Sequence, residues 1–390
     1  MVAAVVAMLA VAPLPSRDFA PRPELVRVLL NRIGAVARVV LSSAEGFELF
    51  APGQEAHILV AKPGQEAVVS LEAGKLRVGS KQFDQVLALP LGKTMTVAAD
   101  KAAQYRGRVR TLVGAGRLIV VNEVGLEAYL MGVVPAEAPA SFHPEALKAQ
   151  AVAARTFALA KMQRAGSAPF DLDDTTASQS YLGVAAEKPQ TNVAVRETAN
   201  QVLLHGGEPI QALYCTVSGG VTAANEEAFG GAPLPYLRSV RDADANGSSY
   251  GAWSPHHSWE FHVRAYPGVG AVKDVEVLRR TGSGRAAAIR VSGERGTLTV
   301  SGPAFRNAVG VNNLKSLLID TIEATGQGVR IRGRGWGHGV GMCQAGAQGR
   351  ALSGQTHDGI LATYYPGARL TFLPEPVLFA RGLLSSASGG

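Results

Sequence analysis

Cysteine is nearly absent from this chain: there are two among 390 residues, Cys215 and Cys343, so no disulfide framework can hold the fold and at most one bridge can form. The two read equally as one bridge in an oxidising compartment or as separate buried thiols. No run of about 18 uninterrupted apolar residues occurs, so no internal transmembrane helix is expected. The opening MVAAVVAMLAVA is too short to span a bilayer and matches the apolar region of a signal peptide, so export to the periplasm or cell wall is expected. Only 18% of residues are charged, and the net charge of +7 is spread without basic runs. That argues against nucleic-acid binding and fits an anionic surface as readily as a generally basic proteome. No G-x-x-x-x-G-K-[ST] run is present, so no P-loop cradles a phosphate.

What is present describes a globular, turn-rich protein. Apolar residues make up 47%, with 45 glycines and 21 prolines, and the length suffices to bury a sizeable core without covalent staples. Across residues 25–113 short alternating runs such as LVRVLL, ARVVLSS and LRVG are separated by Gly and Pro, and residues 94–98 and 117–121 continue the pattern. This is strand periodicity. Residues 273–300 read as a β-meander, and residues 186–200 and 344–352 as helices. The fold class predicted is α+β, a β-rich N-terminal region followed by a mixed α/β core with few helices.

Residues 126–162 are the most informative stretch. They join a short apolar segment, a loop stiffened by Pro135 and Pro139 that carries Glu137, and a long Ala-rich helix opened by Pro144. Glu145 lies in the first turn of that helix, at the positive end of its dipole, and is expected to stay ionised. Lys148 and Arg155 share one helix face, while Leu147, Ala151, Ala154 and Ala158 form another. Two readings of Glu137 stand on the residues alone. It is a solvated loop carboxylate or, if Val133, Val134 or Phe142 packs on it, a carboxyl raised in pKa by desolvation until it can serve as a general acid. Lys148 is the helix residue able to steady that carboxylate or a substrate.

Further along, DLDDTTASQSYLG offers Gln179 and Tyr181 as donors and an aromatic face, or is a polar turn with Tyr181 in the core. PIQALYCTVSGGVT runs an apolar strand into Ser218, Gly219 and Gly220, whose glycines allow either amide N–H groups to face a ligand or a plain turn. GRGWGHGVGMCQAGA sets His338 between glycines with little bulk to shield it. Trp259, Phe261 and Val263 alternate as the buried face of a strand would. His256 and His257 lack a third ligand at useful spacing, so they are weak evidence for a metal.

The ordered pattern N-E-V-x-L-E-x-Y-L-x-G-V-V-P-x-E, then P-E-A-L-K-A-Q-A-V-A-A-R-T-F-A, resembles the core signature of the stage II sporulation protein D family (SpoIID/LytB). So do T-x-x-Q-x-Y-x-G at Thr176 to Gly183, Y-x-x-x-S-G-G ending at Gly220, P-Y-L-x-S-V at residues 235–240, G-x-G-H-G-V-G-M-[SC]-Q-x-G-A around His338, and I-L-x-x-Y-Y-P-G at residues 360–367. The resemblance implies a peptidoglycan lytic transglycosylase with Glu137 as catalytic acid/base. Lys148, Gln179, Tyr181, Ser218, Gly219, Gly220, His338 and Gln344 would then lie around the glycan strand, with no cofactor. Some members of that family bind zinc through Cys and His near the Ser-Gly-Gly turn. Here Cys215 is followed by Ser218 with no adjacent His, so a closed tetrahedral site lacks two or more ligands and no metal is expected.

The organisation implied is a signal-like segment and Pro-rich linker (1–23), a β-rich accessory region (24–104), a SpoIID/LytB-like catalytic core (105–375) and a flexible tail (376–390). Ordinary glycosidases use two carboxylates. The resemblance implies a route with one, in which Glu137 first protonates the glycosidic oxygen and then accepts the proton of the muramyl C6 hydroxyl, giving a 1,6-anhydro sugar. A serine hydrolase built on Ser218, His338 and an Asp is the rival enzyme, weakened by the lack of a G-x-S-x-G elbow. The non-enzymatic alternative is a wall-binding modifier that stimulates an N-acetylmuramoyl-L-alanine amidase.

Overall fold

In the computed structural model, residues 25–54, 56–242, 251–258 and 264–373 are described. The leader, the Pro-rich linker, the tail, and Trp259, Phe261 and Val263 lie outside them.

Alternation of apolar and polar residues becomes strands with one buried face, as at Val26–Leu29, Arg38–Ser42 and Thr94–Ala98. Two sheets result. One has the strand order Leu172–Asp173, Val26–Leu29, Arg117–Val124, Arg108–Gly114, Gln85–Pro90, Phe47–Phe50 and His57–Ala61. The other runs Ala102–Arg106, Thr94–Ala98, Arg38–Ser42, Glu66–Glu72, Lys75–Val78 and Lys81–Phe83. Their inward residues, among them Val28, Leu41, Leu49, Val69, Met95 and Val120, share one core with Tyr129, Leu130, Val133, Ala151 and Ala154 of the following helices.

The division expected at residues 104/105 therefore falls inside the fold. The strand Ala102–Arg106 straddles it, and Val26–Leu29 pairs antiparallel with Arg117–Val124 and parallel with Leu172–Asp173. The N-terminal strands and the two strands that flank the first helices are hydrogen-bonded parts of one sheet.

Helix α1 (Leu126–Glu137) replaces the loop expected around Glu137. Pro135 is tolerated because it stands near the C-terminal end, where only one internal bond is lost, and Ala138 N–H still donates to the Val134 carbonyl at 2.9 Å. Helix α2 (Pro144–Ala165) opens at Pro144 as expected, capped by His143, whose ring accepts from the Glu145 N–H. Its alanines are buried on all sides rather than along one stripe, because it packs against α1, α3 (Pro189–Glu197), and the helices Gln344–Leu352 and His357–Tyr364. Small side chains let four helices approach one rod.

Beyond α3 the chain forms the expected meander, Val272–Arg280, Ala286–Gly293 and Gly296–Ser301, which with the helix Gly302–Val309 closes a separate core around Ile289, Val291 and Phe305. A two-stranded parallel ladder, Tyr214–Cys215 with Met342–Cys343, ties the Gly-rich segment to α2's surroundings. Among the described residues no helix is long and apolar enough to cross a membrane.

Candidate active site around Glu137

Glu137 ends α1, and its side chain is held by the segment that returns from the sheet after Leu172–Asp173. The Ser180 N–H donates to Glu137 Oε1 at 2.6 Å, and the Ser180 hydroxyl also favours the ionised form. Oε2 makes no hydrogen bond among the described residues. The residue is half-buried. Burial raises its pKa, and this outweighs the opposing pull of Ser180 and of the Arg32 charge. The negative end of the α1 dipole acts in the same direction as burial. The result is a carboxyl that keeps its proton to higher pH than a surface glutamate and leaves one oxygen free to transfer it.

Gln179 and Tyr181 are not on the surface. The Tyr129 hydroxyl donates to Gln179 Oε1 at 3.1 Å, and Gln179 Nε2 donates to the Tyr214 hydroxyl at 3.0 Å and the Ala154 carbonyl at 3.3 Å. The Tyr181 hydroxyl donates to Asn122 Oδ1 at 2.8 Å, and its ring lies 5.8 Å and 5.0 Å from those of Tyr105 and Tyr129. With both side chains about 1% exposed, neither faces a sugar. They brace the loop whose Ser180 holds Glu137. Gly132 makes room for this: a Cβ there would meet the Tyr181 ring at 2.6 Å.

Tyr214 links this cluster to the Gly-rich segment. It is half-buried, its hydroxyl meets Gln179, and its charge state is coupled to that of Glu137. In register it faces Met342. His338 stands over the same strand, with Nδ1 accepting from the Val340 N–H at 3.0 Å and the ring turned to the Tyr214 carbonyl. Burial, then Arg306 and Arg285, lower its pKa to about 4, so it is neutral in any ordinary buffer. The Phe229 ring lies 5.2 Å away.

The remaining expected contacts are internal. Ser218 is fully buried and donates to Asp242 Oδ2 at 2.7 Å, while its hydroxyl accepts from the Gly220 N–H at 3.1 Å. The Gly219 φ of +78° and a virtual Cβ 2.7 Å from Leu318 mark a tight packing turn rather than a ligand cradle. Gln344 is buried and donates to Gln150 Oε1 at 3.2 Å. Lys148 pairs with Glu145 at 2.8 Å and Glu197 at 2.9 Å, so its ammonium is directed there instead of to Glu137. Burial alone would raise Glu145, but its bonds to Lys148 and His357 hold it down to about 2. It stays ionised, as expected from its place in the first turn of α2.

With Ser218 bonded to Asp242 and His338 to Val340, the serine–histidine pair of a hydrolase does not form. The donors around Cys215 do not suit zinc either. Cys215 and Cys343 are free, buried neighbours in register, and burial pushes Cys215 up to about 12 and Cys343 well above its usual value, which disfavours the thiolate a metal needs. Cys343 Sγ already accepts from the Ser218 and Gly346 N–H groups, each at 3.2 Å. Among the described residues no three His, Cys, Asp or Glu side chains converge to hold a metal ion.

The site uses residues that the sequence left unremarked. Ser180 supplies the grip on Glu137, Tyr129 and Tyr214 hold Gln179, and Arg32 approaches from the N-terminal strands to bind Asp174 of the Ser180 segment. Tyr214 heads the Y-x-x-x-S-G-G pattern, so it was within reach of sequence reasoning; Arg32 and Ser180 carried no signal.

Fold and site define an α+β protein in which a half-buried, helix-terminal glutamic acid is gripped by a loop N–H. Profile matching assigns residues 114–205 to "Stage II sporulation protein" and residues 259–341 to a "Domain of unknown function (DUF8618)". Stage II sporulation protein D of Bacillus subtilis is 33% identical over 270 residues, 64% of this chain and 76% of that protein. An uncharacterized protein of Brachyspira hyodysenteriae is 32% identical over 275 residues, 68% of this chain and 71% of its own length. The Amidase enhancer of Bacillus subtilis is 31% identical over 291 residues, 62% of this chain and 40% of that protein. The chain belongs to the stage II sporulation protein D family.

Proposed function

We propose that this protein acts at the cell wall as a lytic transglycosylase, cleaving the MurNAc–GlcNAc bond of peptidoglycan glycan strands with Glu137 as sole acid/base. The observation that carries this reading is the Glu137 carboxyl: raised in pKa by burial, anchored through Oε1 by Ser180, and free at Oε2. In the first step its proton passes to the glycosidic oxygen as the C1–O bond breaks. In the second, the resulting carboxylate takes the proton of the muramyl C6 hydroxyl as O6 bonds to C1, which regenerates the acid and leaves a 1,6-anhydro end. Atoms and charge balance without water or cofactor, so one carboxylate suffices.

Digestion of purified glycan strands followed by mass spectrometry tests this. Anhydro-muramyl ends with wild type and their loss with Glu137→Gln are expected. Kinship with the protein named Amidase enhancer supports a second reading, a non-enzymatic modifier that stimulates an amidase. It predicts that Glu137→Gln still raises the rate of a purified N-acetylmuramoyl-L-alanine amidase.

A further inference from the structure

The strand Val26–Leu29 and the turn after it grip the segment that holds Glu137. Asp174 Oδ1 accepts from the backbone N–H groups of Asn31 at 2.8 Å and Arg32 at 3.0 Å, and the Asp174 N–H donates to the Leu29 carbonyl at 3.0 Å. The Arg32 side chain then folds back, its Nε donating to the Asp174 carbonyl at 2.7 Å. That same carbonyl accepts from the Tyr181 N–H at 3.2 Å, and the adjoining Ser180 N–H is the one that binds Glu137. The Arg32 guanidinium is thus pinned by one nitrogen, one peptide away from the anchor of the acid. The residue is exposed, and its two terminal nitrogens have no hydrogen-bond partner among the described residues. Its charge reaches Glu137.

A guanidinium fixed at Nε and open at both terminal nitrogens is a fork for a carboxylate. Glu137 makes no ion pair with it. Uncharged N-acetylglucosamine carries no carboxylate for such a fork. A muramyl residue does, either through its free lactyl carboxylate or, when that is amidated, through carboxylates of the attached stem peptide. We propose that Arg32 is a specificity-determining residue of the Glu137 site, supplied by the N-terminal strands, which pairs with a carboxylate carried by the glycan strand and seats the scissile bond against the acid. This rests on the transglycosylase reading of the site.

The test uses the full chain carrying Glu137→Gln, so that ligands are not consumed, and measures binding of four tetrasaccharides. They are a GlcNAc–MurNAc repeat with free lactyl groups, the same with stem peptides, the same with lactyl groups reduced to alcohols, and chitotetraose. Arg32 should favour at least one carboxylate-bearing sugar over the reduced one by up to about 5-fold, a modest value because the pair is solvent-exposed. The favoured arm identifies the source of the carboxylate. Arg32→Gln should erase the difference while leaving chitotetraose affinity unchanged, and Arg32→Lys should restore part of it. Both variants retain the backbone bonds to Asp174, and an unchanged thermal midpoint verifies the fold. Affinity for the reduced sugar equal to that for both carboxylate-bearing sugars, or a preference that survives Arg32→Gln, overturns the proposal. Neither touches the parent reading, which falls instead if the protein with Glu137 intact yields no anhydro-muramyl ends.

Discussion

Glu137 and Glu145 stand on successive helices, and their surroundings drive the two carboxyls in opposite directions. Glu145 meets a helix N-terminus, Lys148 and His357, and is held at about 2; Glu137 meets a helix C-terminus and buried neighbours, and is raised. A general acid must be protonated in the free enzyme, so kcat/KM should fall as pH rises through the Glu137 pKa. Because that pKa is raised, the falling limb should lie above the ordinary glutamate value of about 4.3, and a pH–rate profile checks it. Arg32→Gln removes the cation that lowers Glu137, so the limb should move to higher pH. A shift downward would contradict the placement of Arg32. Lys148→Ala should cost less than about 1 kcal/mol, since its ion pairs are partly exposed, and leave turnover unchanged; a large loss of kcat with the thermal midpoint intact would contradict its assignment to Glu145. At this scale the residues alone left Glu137 open between a solvated carboxylate and a desolvated acid, and the family resemblance pointed to the second. It could not decide between surface and core for Gln179 and Tyr181, because their partners Tyr129 and Asn122 lie 50 and 59 residues away.

Among the elements, strands and α2 were legible where local rules rule: alternation for the strands, Pro144 and Glu145 at the head of α2. Helix α1 was not, since Pro135 and Pro139 read as a stiffened loop around Glu137. Tertiary packing overrides that reading, as Leu130, Val133 and Val134 are buried in the shared core. Gly132→Ala separates the two influences. Helix propensity would gain up to about 1 kcal/mol, whereas the overlap with the Tyr181 ring should cost about 1–3 kcal/mol. We expect net destabilisation in thermal melts, with a lower kcat as Ser180 is displaced from Glu137. A rise in the thermal midpoint with full activity would show that the Tyr181 loop is not braced against α1.

For the molecule as a whole, the strands from Val26 to Ala98 cannot be detached from the site. Val26–Leu29 lies between Arg117–Val124 and Leu172–Asp173, and Arg27 bonds Asp171 through its backbone and side chain, with an Nη2–Oδ1 distance of 2.6 Å. A chain beginning at residue 105 would expose both neighbouring strands and half a core. It should show no cooperative unfolding by calorimetry; a sharp transition from such a fragment would restore the independent core that the sequence suggested. The parallel pairing with Leu172–Asp173 was invisible in sequence because two-residue strands have no periodicity.

The claim on which the rest depends is that Glu137 is the acid/base of a transglycosylase. Mass spectrometry of glycan strands digested by wild type and Glu137→Gln measures it directly. Anhydro-muramyl ends from the wild type and at least a ~100-fold lower yield from the variant are predicted, in line with loss of a general acid. Anhydro ends produced equally by both proteins, or by neither, would contradict it.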